Sequence, residues 1–184
     1  MVTLLRATLL ITVLTAVLAS CSSSSTRPGG QPLVFPPRPA EISIEKAGNC
    51  TVLSKEQQKQ LKIFDARASM NTVNGQPSPG CTLLGREGID FNTQTIPVGA
   101  EIAVRTPNSE VLSVNGFGAV RDIPVNSLGP TPLCQIAIDA AQGKTIRVQA
   151  SATPRMELEP PELCRRATEA ASMVMTTLVA TASR

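Results

Sequence analysis

Four cysteines, Cys50, Cys81, Cys134 and Cys164, constrain this chain more than any other feature, and a fifth, Cys21, decides how they are read. Cys21 closes the stretch Leu18-Ala19-Ser20-Cys21, behind a basic start (Met1 to Arg6) and an apolar run from Leu9 to Leu18. An aliphatic residue, two small residues and a cysteine at the end of a short apolar run form the pattern of a bacterial lipoprotein signal. The small residues let an extended segment enter a tight peptidase groove, and only a thiol forms the diacylglyceryl thioether. Cleavage before Cys21 is therefore expected, with residues 1–20 as signal peptide and Cys21 as the lipidation site. An ordinary secretory cut after Ala19 is the plainer alternative. An uncleaved span is disfavoured, because the run is short against the roughly 20 residues a span needs.

Outside the cytoplasm an even set of four thiols reads as two disulfides. No two of them have CxxC spacing, which argues against a zinc site and against thioredoxin-like exchange. Three pairings are open. Cys50–Cys81 with Cys134–Cys164 is favoured, because each bond then closes a loop of about 30 residues, a constraint on the unfolded chain of roughly 3–4 kcal/mol.

Composition removes several classes of function. The charge is +3 over 184 residues and +2 once Arg6 leaves with the signal, too little for a nucleic-acid partner or strong electrostatic docking. The aromatics are four phenylalanines, with no Trp or Tyr, which leaves no stacking platform for bases or sugars. There is no histidine, hence neither the commonest general base nor the commonest metal ligand. No GxSxG, Gly-rich phosphate loop or HExxH occurs. A Ser–Lys dyad through Lys46 or Lys144 lacks an SxxK motif. Glu87 and Asp90 read as turn and strand surface rather than as an acid/base pair. No cofactor, no metal and no catalytic residue are expected, and the domain is expected to bind rather than transform.

The 164 residues left after the signal suit a single domain. Residues 21–41, rich in Ser, Pro and Gly, read as a lipidated, flexible tether, and residues 42–184 as the globular four-cysteine domain. Ser54 to Gln57 has the form of a capping box, opening a helix whose Leu61, Phe64 and Ala68 recur at helical spacing. Lys55, Lys59 and Lys62 read as its solvated face in preference to a functional basic patch. Asn74-Gly75 and Pro77 to Gly80 break the chain. Cys81 to Leu84 predicts a strand, and Ile89 to Ile96 a second one with Ile89, Phe91, Thr93 and Thr95 on one side. Val98 to Thr106 predicts a short helix, and Val111 to Val114 a short strand. Gly116 and Gly118 then present Phe117 on a loop, which makes Phe117 the candidate contact residue, with core packing as its plainer role.

Cys134 to Ala140 and Lys144 to Ala150 predict a hairpin. Its apolar faces coincide only if Ile138 lies opposite Ile146 and Ile136 opposite Val148, which leaves Ala141-Gln142-Gly143 as a three-residue loop. Asp139 and Arg147 then form a weak outer-face pair. Pro160-Pro161 starts a final helix, with Glu157, Glu159 and Glu162 near its positive end. Leu163, Ala167, Ala170, Val174 and Leu178 make its apolar stripe, which docks most naturally on the sheet.

The four cysteines in these settings (Asn49-Cys50 before a helix opened by Ser54, Gly80-Cys81 opening a strand, Leu133-Cys134 opening an Ile/Val strand, Leu163-Cys164 opening a terminal amphipathic helix) carry a resemblance. The chain resembles the actinobacterial, mycobacterial-type Lpr-like envelope lipoproteins that share a four-cysteine domain of unknown function, over roughly residues 48 to 180 and the lipobox. Thr82-Leu83-Leu84 departs from the aromatic often found after the second cysteine in that family. The resemblance implies an α+β domain with an antiparallel sheet and an envelope location, and it brings no catalytic residues. The expected molecule is a lipid-anchored, extracytoplasmic α+β domain with its helices packed on the sheet. Its partners are the membrane, through the lipid, and an envelope protein, lipid or small molecule. An accessory subunit and an unrecognised hydrolase are the alternatives.

Overall fold

The computed structural model describes residues 34–103, 109–124, 132–154, 156 and 158–182; residues 1–20, expected to be a signal peptide, together with Cys21 and Glu157 lie outside them. The described strands are β1 (Ile63–Val73), β2 (Gln76–Gly85), β3 (Ile89–Ile96), β4 (Glu110–Val114), β5 (Phe117–Asp122), β6 (Leu133–Ala141) and β7 (Lys144–Ala152). They form one antiparallel sheet in the order β1-β2-β3-β7-β6-β5-β4. The helices are α1 (Lys55–Gln60), α2 (Ala100–Ala103) and α3 (Pro160–Ala182), so the domain is α+β. Among the described residues no helix is long and apolar enough to cross a membrane.

Alternation fixes the core face. Cys81, Leu83, Phe91, Ile136, Ile138, Ile146, Val148 and Ala150 are fully buried on one side of the sheet. On that side α3 lies against β6 and β7. It buries Leu163, Ala167, Ala170, Ala171, Val174, Met175 and Leu178. Three of these are alanines, which let the helix axis approach the sheet closely. Two disulfides staple this side: Cys50–Cys81 holds the segment before α1 to β2, and Cys134–Cys164 holds the first turn of α3 to β6.

Several local expectations are corrected. The capping box forms, with Ser54 Oγ accepting from the Gln57 N–H and the Gln57 side chain accepting from the Ser54 N–H. The helix it opens nevertheless stops at Gln60, and Phe64 and Ala68 belong to β1. Nothing in α1 is buried, so no apolar face sustains a longer helix. Lys62 takes a left-handed φ of 59° that ends it, and the chain gains a full ladder by pairing β1 with β2. Asn74-Gly75, with φ of 50° and 74°, is the two-residue turn of that hairpin.

In the β6–β7 hairpin Ile136 faces Val148 and Ile138 faces Ile146. The loop differs from expectation: Ala141 pairs with Lys144 across Gln142-Gly143, and the odd residue is absorbed as an irregularity at Ala140. Asp139 does not pair with Arg147. Arg38 reaches it instead, with Nη1 3.0 and 2.9 Å from its two carboxylate oxygens. Arg38 comes from the stretch expected to be tether. There Phe35 packs on Val120 and Ala137, Glu41 accepts from the Gln142 N–H at 3.0 Å, and the Ile42 N–H donates to the Ala140 carbonyl at 3.0 Å. Residues 35–42 thus form a strap over the end of the β6–β7 hairpin and the neighbouring β5.

Candidate functional site

The face of the sheet turned away from α3 carries the polar positions of the same alternating strands. Antiparallel register aligns them in rows. Thr82, Asn92, Gln149, Gln135 and Asp122 run across β2, β3, β7, β6 and β5, and Gly80, Gln94, Arg147, Ala137 and Val120 form the next row. Most of this row pattern is not solvated surface: Gln94 and Asp122 are each 1% exposed, and Ser78 and Thr145 are fully buried. Buried amides demand partners, and here they find one another. Gln149 Nε2 donates to Gln135 Oε1 at 3.2 Å, and Gln135 Nε2 donates to Asp122 Oδ2 at 2.9 Å. Ser109 Oγ donates to the other Asp122 oxygen at 3.0 Å. In the second row Gln94 Nε2 donates to Ser78 Oγ at 2.7 Å, and Thr145 Oγ1 donates to the Val98 carbonyl at 2.7 Å.

Arg147 is the exception in this network. Its side chain is half-buried, its Nη2 donates to Gln94 Oε1, and its Nε is buried without any hydrogen-bond partner. Every ion pair among the described residues involves other groups, and Asp139, the acid nearest to it in the sheet, is engaged by Arg38. Burial lowers the pKa of Arg147. A guanidinium stays charged through any physiological range, so the charge is held with one neutral partner and, among the described residues, no counter-ion. Such an arrangement costs stability unless an anion supplies what the protein does not. On the same face Asn92, Gln149 and Ser151 are half-buried, with their donors engaged: Asn92 Nδ2 by the Cys81 carbonyl and Thr82 Oγ1, Gln149 Nε2 by Gln135, and Ser151 Oγ by the Asp90 carbonyl.

Phe117, the contact residue expected from the sequence, is not on an exposed loop. It opens β5 at 1% exposure and belongs to the core on the α3 side, opposite Val114. The turn before it is Asn115-Gly116, and Gly118 serves a different aromatic: a Cβ there would lie 2.8 Å from that of Phe35. A cleft of about 300 Å³ beside Cys164 holds Glu110 and Arg121, whose charges are spent on each other. Among the described residues no three His, Cys, Asp or Glu side chains are placed to hold a metal. Sequence reasoning placed Arg147 only in a weak outer-face pair with Asp139, because alternation marks it as outward; the missing signal is the burial of this face, to which Phe35, packed on Val120 and Ala137, contributes from elsewhere in the chain.

A family profile described as "Protein of unknown function (DUF3558)" matches residues 16–177, a span that takes in Leu18 to Cys21 and all four of the other cysteines. No curated protein and no solved structure matches the chain.

Proposed function

We propose a binding role without catalysis for this chain, which belongs to the DUF3558 family of proteins of unknown function. In this reading it is a lipid-anchored, extracytoplasmic domain that holds a small molecule bearing a carboxylate or phosphate against the polar face of its sheet. The observation that carries the reading is Arg147, a half-buried cation with a buried, unpartnered Nε and no carboxylate beside it among the described residues. An anionic group would accept from the guanidinium and complete the network. The lipobox supports the location, and the two disulfides fit an oxidising compartment.

The test is native mass spectrometry of the full protein extracted from its own membranes. A retained anionic molecule, lost in Arg147→Met while the fold persists, is the expected result. The reading fails if the protein is ligand-free and its melting temperature does not respond to a panel of mono- and dicarboxylates and phosphate esters. It also fails if Arg147→Met retains the same molecule.

A further inference from the structure

A second feature lies at the β1 edge of the sheet and goes beyond the Arg147 reading. Where α1 gives way to β1, Lys55, Lys59, Lys62 and Arg86 surround a shallow depression of about 410 Å³, floored by Gln58, Ile63 and Phe64. All four cations are exposed, and none forms an ion pair among the described residues. The acids next to them in sequence do not line the depression: Glu56 accepts from Ser54 Oγ, Asp65 pairs with Arg67, and Glu87 is not part of its wall. Four like charges within one patch of a chain whose net charge is only +3 are a concentrated field.

The backbone is bent to build this patch. Lys62 holds a left-handed φ of 59°, and the β1–β2 register shifts between Ile63 and Asp65. Phe64 is the extra residue of that irregularity, and it stands 53% exposed. Bulges re-aim side chains, and this one turns a large apolar ring outward, where the Arg86 guanidinium lies 5.3 Å from its centroid. An exposed phenylalanine ringed by flexible cations matches a surface that is anionic at its face and apolar just beneath it. Lysines are point charges on mobile stems, suited to a field of phosphates rather than to one ligand of fixed geometry.

We infer that the patch formed by Lys55, Lys59, Lys62, Arg86 and Phe64 rests on the anionic surface of a phospholipid bilayer, with the Phe64 ring entering the interface. Electrostatic attraction and one inserted ring are individually weak, and they add to any lipid anchor the chain carries.

The test uses the chain from residue 21 onward with Cys21→Ser, which keeps every described residue and removes the lipidation site, so the result does not depend on acylation. It is mixed with phosphatidylglycerol vesicles and, as the neutral control, phosphatidylcholine vesicles. Sedimentation with the anionic vesicles alone, weakening as salt is added, is expected. Lys55→Gln with Lys59→Gln should cut the partition coefficient about 30-fold, roughly fivefold for each cation, while Lys55→Arg with Lys59→Arg should keep it. Phe64→Trp makes the only tryptophan in the chain, so its emission reports on the patch alone and should shift to the blue on anionic vesicles. The inference is overturned if the two vesicle types bind equally or not at all, if the Gln pair binds as well as the parent, or if the emission does not move. It is overturned too if inorganic phosphate alone perturbs the patch and vesicles do not, which would make it a receptor for a free anion.

Discussion

Phe117 and Arg147 sit on opposite faces of one sheet, and truncating them should have opposite results. Phe117 is enclosed by the α3-side core, so Phe117→Ala leaves a cavity and should cost about 3–5 kcal/mol in a urea titration. Arg147 keeps a charge half-buried with one neutral partner, and Arg147→Met should leave the unfolding midpoint unchanged or higher. A loss above about 1 kcal/mol would show instead that Gln94 depends on the guanidinium to satisfy its carbonyl. A half-buried cation whose removal does not weaken the fold points to binding rather than architecture.

Among the elements, the strap has its own pH dependence. The Gln142 N–H, and then Arg38, hold the Glu41 carboxyl below its ordinary value of 4.5. A depressed folded pKa means that this contribution is complete above the unfolded value and is lost as pH falls through the folded one. Melting curves followed from about pH 6 to 3 should therefore decline less steeply for Glu41→Gln than for the parent. The strap was not legible in the sequence, because Pro36, Pro37 and Pro39 share the composition of a tether and the partner that ties Arg38 to the sheet, Asp139, is distant in the chain. Elements with a single dominant period were legible: β3, the register of β6 on β7, and the stripe of α3. The β1–β2 hairpin was obscured by Pro77 and Pro79, which argue against an inner strand although Asn74-Gly75 is a strong hairpin signal. Phe64 and Ala68 fit both a helix and a strand, and pairing with β2 decided between them. The polar rows were visible as outward positions, but burial of that face comes from segments remote in sequence.

At the scale of the whole molecule, stability and attachment are separable. Non-reducing peptide maps should join Cys50 to Cys81 and Cys134 to Cys164, whose Cα atoms lie 5.1 and 5.0 Å apart. Each bond closes a loop of similar length, so either paired Cys→Ala variant should lose about 3–4 kcal/mol, and the two losses should be nearly additive because the loops do not overlap. Cys21→Ala, by contrast, should leave the domain's melting unchanged while releasing it from salt-washed membranes or leaving the amino-terminal segment uncut. Persistence after cleavage through a high-salt wash, which screens the Lys55 patch, would refute the proposed lipid anchor. The order of the bonds along the chain has a further consequence for biogenesis. Each cysteine of the folded domain is bonded to its immediate neighbour in sequence, so a polypeptide emerging amino-terminus first meets its correct partners in turn. Under the extracytoplasmic location proposed above, Cys50 and Cys81 can join before Cys134 has left the channel, and oxidation coupled to vectorial export would then reach the native pairing without an isomerase to undo mistakes.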